Sequence, residues 1–275
     1  MREPLAHVTA TRVAGDGRRP MARMVPEEVA VALTYDGTTH AVMMASPSDL
    51  EDFALGFSLT EGKVGGPAEI AELEIVSHEN GIEARMWLAP EAARRTVERR
   101  RAILGITGCG LCGIDSLEAA LPTVAVVGDG PSLTVAEIAA AVASLRPAQR
   151  LNAQAHALHA AGFWTPARGL VAAREDVGRH NALDKLVGAL VREGVDPAEG
   201  LVVLTSRLSV EMVQKVATLG ASVVAAVSAP TALALRTAEA AGITVIGIAR
   251  DDGFEIFTRP DRIGAPDAEG LREAG

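Results

Sequence analysis

Hydrophobic and polar positions change their rhythm several times along this chain. Residues 1–25 are polar, arginine-rich and without period, which predicts a loose arm. Alternation begins with Val29, Val31 and Leu33, breaks at Tyr35-Asp36-Gly37-Thr38, and resumes with His40, Val42 and Met44. Period-two spacing on both sides of an Asp-Gly pair predicts a β-hairpin. Ser46-Pro47-Ser48-Asp49 then has the marks of a helix start: a serine cap, a proline at the first helical position and an acid in the first turn. Leu50, Phe53, Ala54 and Phe57 form the apolar stripe of that helix, and Glu61-Gly62 ends it. A second hairpin is expected over residues 73–88, turning at Glu79-Asn80-Gly81. A short helix is expected at residues 115–121. The capping box Thr134-Val135-Ala136-Glu137 opens another, to about Leu145.

From residue 168 the pattern is strand then helix. Apolar, β-branched-rich runs at residues 170–173, 201–204, 223–227 and 243–248 alternate with helical segments at 181–192, 209–219 and 231–240. Gly220 and Gly242 stop the last two helices. Such repetition means an α/β layer with a mostly parallel sheet, and residues 254–258 add a closing strand. The fold class expected is therefore α/β, with a smaller N-terminal α+β part. The chain divides into a flexible arm (1–25), an N-terminal part ending in the cysteine loop (26–121), an α/β core (122–260) and a tail (261–275).

The totals narrow the function. Of the 275 residues, 48% are hydrophobic and 22% charged, enough for a sizeable core. Aromatics are only 3% and the net charge is −9, which argues against nucleic acid as a partner. No apolar run approaches the roughly 20 residues of a membrane helix. Arg18-Arg19 has no apolar segment behind it, so an export signal is rejected and a cytoplasmic location is expected.

Both cysteines sit in one glycine-packed stretch, Gly108-Cys109-Gly110-Leu111-Cys112-Gly113. Cysteines at this spacing can hold a metal, cycle as a disulfide or carry a sulfur atom, and each of these needs a thiolate. Three glycines leave the backbone free to turn amide groups toward a sulfur anion. Five arginines at 94, 95 and 99–101 lie just upstream, and positive charge near a thiol favours its ionised form. A structural zinc site needs four ligands, and neither a second Cys pair nor a closing His pair is present. Redox or sulfur chemistry and metal binding both remain open on the residues alone.

In open α/β sheets ligands bind beyond the carboxyl ends of the strands. Four such ends can be read: Arg174-Glu175-Asp176-Val177-Gly178-Arg179-His180-Asn181, Thr205-Ser206-Arg207, Ser228-Ala229-Pro230 and Ala249-Arg250-Asp251-Asp252-Gly253. Arginines, hydroxyls and glycines at these ends suit a ligand bearing phosphates. Arg174, Arg179, His180, Ser206, Arg207 and Arg250 are the candidate binding residues.

Taken together, the cysteine motif, the segment from Arg174 to Lys185, and Ser206-Arg207-Leu208-Ser209-Val210-Glu211-Met212-Val213-Gln214-Lys215 resemble the FdhD family, the formate dehydrogenase accessory sulfurtransferases. Residues 26–61 and Ala226-Val227-Ser228-Ala229-Pro230-Thr231 are similar to the same family, in family order. The resemblance implies a carrier that takes persulfide sulfur from a cysteine desulfurase. It then passes the sulfur to the molybdenum or tungsten bis(molybdopterin guanine dinucleotide) cofactor of formate dehydrogenase. It also implies a cytidine-deaminase-like core and a homodimer; separately, no permanently bound metal is expected. By motif match Cys109 bears the persulfide and Cys112 supports it. Ile248, Ala249, Arg250, Asp251, Asp252 and Gly253 would contact the guanine dinucleotide. Where the family has Thr-Gly-Gly-x-His-Ala this chain has Ala155-His156-Ala157-Leu158-His159-Ala160, keeping His159 and losing the glycines. The competing reading is a non-catalytic cofactor chaperone whose cysteines are structural or bind metal.

Overall fold

The computed structural model describes residues 2–15, 17–95, 124–250 and 252–264. The cysteine motif, the helix expected at 115–121, Arg99 to Arg101, Asp251 and the tail beyond 264 lie outside the described residues. The architecture is mixed α/β and is built on three sheets.

The first sheet corrects the expectation of a loose arm. Strands β1 (Leu5–Ala14) and β2 (Gly17–Pro26) pair antiparallel along their whole length, from Leu5 opposite Pro26 to Ala14 opposite Gly17. Val8, Thr9, Thr11 and Val13 favour extended backbone, and the glycines at 15 and 17 mark a turn. The arginine-rich composition hid that signal. At the base, the Glu27 amide donates to the Pro4 carbonyl and Arg2 donates to the Glu79 carbonyl.

The second sheet has the order β4-β3-β6-β5, with β3 (Val29–Tyr35), β4 (Thr38–Ala45), β5 (Ile70–His78) and β6 (Gly81–Leu88). Asp36 and Gly37 both have positive φ (47° and 75°), as the twist of a two-residue hairpin demands. Alternation points Val29, Val31, Leu33 and Tyr35 inward, where they meet Phe53, Ala54 and Phe57 of α1 (Leu50–Thr60). Helix α1 starts later than expected. Asp49, at φ 50°, precedes its first turn, and Ser46 is engaged elsewhere.

The third sheet has the order β12-β11-β10-β9-β7-β8. Its strands are β7 (His159–Thr165), β8 (Gly169–Asp176), β9 (Leu201–Leu204), β10 (Val223–Ala226), β11 (Thr244–Arg250) and β12 (Gly253–Thr258). Strands β9, β10 and β11 pair in parallel, whereas β7–β8, β7–β9 and β11–β12 pair antiparallel. The expected mostly parallel sheet is thus a mixed one. The difference comes from β7, which inserts between β8 and β9, and from β12, which folds back on β11. Strands β8 to β11 still share one direction, as strand–helix repetition requires.

Residues along β9 and β10 are buried on both faces. Val202, Leu204, Val224 and Ala226 pack toward α4 (Arg179–Arg192), α5 (Val210–Leu219) and α6 (Ala232–Ala241). Leu201, Val203, Val223 and Ala225 pack toward Ile138, Ala141 and Leu145 of α2 (Val135–Ala148). The capping box of α2 is complete: the Glu137 amide donates to Thr134 Oγ1 while the Thr134 amide donates to the Glu137 carboxylate. A cap of this kind is worth about 1 kcal/mol.

Helices α1 and α4 join the second sheet to the third, and two glycines set their approach. A Cβ on Gly56 would stand 1.7 Å from the Asp184 carbonyl oxygen, and one on Gly188 would stand 1.9 Å from that of Asp52. Only glycine fits at either crossing point.

Candidate functional site

Because β8, β9, β10 and β11 share a direction, their carboxyl ends meet at one edge of the sheet. The start of β7 lies between the ends of β8 and β9. Over the β9, β10 and β11 ends opens a cleft of about 890 Å³. Its floor is Thr205, Val227, Ala249 and Arg250, and its far wall is the end of α2 and the short α3 (Asn152–Ala155) with Arg146, Gln149 and His156. Among the described residues neither Arg146 nor Arg250 forms an ion pair. Two guanidinium groups without ion-pair partners among the described residues thus line the open cleft. Beside them Ile248 has φ 52°, a left-handed angle that a β-branched residue adopts only under constraint. It sits where the β11–β12 register slips, between Gly247 and Arg250.

The other strand-end candidates have different settings. Arg174 reaches back from β8 to α1, where its Nε donates to Asp52 at 2.8 Å. Glu175 accepts the Leu151 and Asn152 amides and so holds the start of α3. Ser206 is buried and donates to the Arg207 carbonyl, while the Arg207 side chain is exposed. Asp252 and Gly253 are exposed at the β11–β12 turn.

Asp176 is the centre of a buried network. Its carboxylate lies 2.7 Å from Lys185 Nζ, and it accepts the amides of Ser46 and Gly178 and the side-chain amide of Asn181. Asn181 also donates to the Met44 carbonyl, and Lys185 to the Ser46 carbonyl. The loop after β4 is thereby fastened to the first turns of α4. One helical turn on, Asp184 accepts from Thr60 and Lys215, and Lys215 also contacts Glu61 and sits over the Phe57 ring. Burial pushes the Asp184 carboxyl up to about 6 even with Lys215 beside it. At Lys215 burial acts the other way, yet Asp184 and Glu61 together raise it and keep the ammonium charged. Much of a segment that reads as a ligand loop therefore builds a joint between the two sheets.

What remains at that corner is basic and partly open. Arg179 Nε and His180 Nε2 are buried with no hydrogen-bond partner among the described residues. Burial, with Arg179 second, lowers both His159 and His180 and so favours the neutral form of each ring. His159 lies opposite Asp176 in the β7–β8 ladder, and Arg179 opens α4. The strand-end edge thus carries two separate features: the cleft with Arg146 and Arg250, and the corner with His159, Arg179 and His180. Sequence reading missed Arg146, Gln149 and His156. The capping box announced their helix, but nothing in its period announced that its far end walls a cleft.

A sequence profile described as the FdhD/NarQ family matches residues 26–264. Proteins named sulfur carrier protein FdhD from Agrobacterium fabrum and Brucella abortus are each 55% identical to this chain. The first alignment spans 88% of this chain and 89% of that protein, and the second 90% and 92%. A crystal structure described as a putative formate dehydrogenase accessory protein from Desulfotalea psychrophila superposes with a TM-score of 0.73 at 24% identity. It covers 94% of this chain and 99% of its own, which establishes the shared fold. This chain belongs to the FdhD/NarQ family. Among the described residues no helix is long and apolar enough to cross a membrane.

Proposed function

We propose that this protein is a sulfur carrier in the service of formate dehydrogenase. Cys109 is the carrier residue and Cys112 its support. The Cys109 thiolate attacks the outer sulfur of a persulfide on a cysteine desulfurase. The donor's S–S bond breaks, the donor cysteine leaves as thiolate, and Cys109 holds the sulfur as a persulfide with no net oxidation. The acceptor is the molybdenum or tungsten bis(molybdopterin guanine dinucleotide) that formate dehydrogenase uses, held by its guanine dinucleotide at the strand ends. The carrier works as a cytoplasmic homodimer with a cytidine-deaminase-like core.

The observation that carries this reading is the 55% identity, over nearly the whole chain, to proteins named sulfur carriers. The acceptor half draws support from the cleft. Its volume suits a nucleotide, and two guanidinium groups without ion-pair partners among the described residues suit a diphosphate. The test is activation of formate dehydrogenase in cells lacking their own carrier. Cys109→Ala abolishes activation and Cys112→Ala leaves a measurable part. Equal loss from both would point instead to a disulfide or a shared metal site.

A further inference from the structure

The β1–β2 hairpin has a sided charge pattern. Its register sets Val8, Ala10 and Arg12 opposite Arg23, Met21 and Arg19. Cross-strand partners share a face, so Arg12, Arg19 and Arg23 lie together on one face with Val8 and Met21. Arg12 directly faces Arg19, an unfavourable pairing, and none of the three has an ion-pair partner among the described residues. On that face Val8 is 41% exposed, while Val13 and its partner Arg18 lie on the opposite face. A two-stranded ribbon in water is marginal on its own, and this one spans roughly 33 Å at the usual rise per residue. Strand β2 touches α3 of the same chain, but the outer half of the ribbon, residues 11–14 and 17–20 with Arg12 and Arg19, is exposed at every position described and lacks a cover.

The complement is on the same chain. Five arginines against Glu3 and Asp16 give residues 1–26 a net charge of +3 in a chain of net −9, so the remainder carries −12. The outer face of the β4-β3-β6-β5 sheet exposes Val42, Met44 and Trp87. In register with them stand Ala30, Ala32, Glu72, Glu74 and Glu83. Arg85 pairs with Glu74 and Glu83 and His78 contacts Glu83, so three carboxylates face one guanidinium, and Glu72 has no ion pair among the described residues. This is an apolar strip with an acidic border, matching a hairpin face with an apolar strip and basic ends.

We propose that the hairpin is an arm that clasps a second copy of this chain, laying its arginine face on the outer face of the partner's four-stranded sheet. Reciprocal clasping makes a closed two-fold pair, with each arm serving the other's sheet. This rests on the homodimer of the reading above and is independent of its sulfur chemistry.

Sedimentation velocity on the full chain tests it. Arg12→Glu with Arg19→Glu, and separately Glu72→Lys with Glu74→Lys, each weaken self-association by about tenfold or more, since that is only 1.4 kcal/mol. Mixing the two variants restores the dimer, because the one reversed arm then meets the one reversed sheet while the native arm meets the native sheet. That recovery cannot come from misfolded chains. A monomeric wild type, as when the arm serves an acidic foreign protein, overturns both the arm and the homodimer. A dimeric wild type with unaffected variants, or a mixture that fails to pair, overturns the arm alone.

Discussion

Lys185 and Asp176 form an ion pair at 2.7 Å with no exposure of either side chain. Ser46, Gly178 and Asn181 supply the remaining hydrogen bonds of the carboxylate, so the charges are neutralised and solvated by protein. Taking one partner away strands the other in an apolar interior. Lys185→Met is therefore expected to cost about 3–5 kcal/mol, read by urea denaturation. A loss below about 1 kcal/mol would contradict the joint described for this segment.

The α1–α4 contact gives a second expectation. Gly56→Ala and Gly188→Ala each drive a methyl group into a main-chain carbonyl that cannot swing aside. Overpacking costs about 1–3 kcal/mol or more, whereas in a free helix alanine would be the better residue. Thermal unfolding of both variants checks this. A rise in Tm for either would show that the helices stand farther apart.

Asp184 provides a pH signature. Its carboxyl is raised to about 6 by burial, against 3.8 for the free group, in the company of Lys215, Thr60, Glu61 and Tyr35. A raised folded value means that the folded state holds the proton more tightly than the unfolded state. The group's stabilising contribution is then full below about 4 and is lost as pH rises toward about 6. The stability advantage of the wild type over Asp184→Asn should narrow by an amount of order 1–3 kcal/mol across that window and level off above it. A widening gap would mean that Lys215 outweighs burial.

The arginines separate by role. Arg146→Ala and Arg250→Ala are expected to weaken GDP binding by about tenfold, the value of one charge-assisted phosphate contact. Arg174→Ala should leave affinity unchanged, because that side chain is occupied with Asp52. Its cost should appear in stability and stay near 1 kcal/mol, since Arg192 still reaches Asp52. Calorimetry decides the matter: equal losses for Arg174→Ala and Arg250→Ala, or no binding at all, would remove the cleft as the nucleotide site.

What was legible in the sequence follows from the range of each interaction. Hairpins at Asp36-Gly37 and Asn80-Gly81, the α2 cap and the buried runs of β9 and β10 are local signals, and the structure has them. Strand β7 was missed because Ala160, Ala161 and Gly162 carry no strand propensity, and its place is set by neighbours on both sides. The partners of Asp176 and Lys185 at Ser46 lie some 130 positions away, beyond any local pattern. The same distance hid that Asp176, Asn181 and Lys185, within the segment read as a ligand loop, belong to a structural network. The motif was easy to see, whereas the division of labour within it required coordinates.

The central claim concerns one atom of sulfur on one cysteine. The most direct measurement is intact-mass spectrometry of the protein after incubation with a cysteine desulfurase and cysteine, before and after a reductant. The wild type and Cys112→Ala should each gain the mass of a single sulfur, located on Cys109 by peptide mapping and removed by the reductant. Cys109→Ala should gain none. Sulfur that appears only on Cys112, or a wild type that stays unmodified while the desulfurase turns over, would contradict the account.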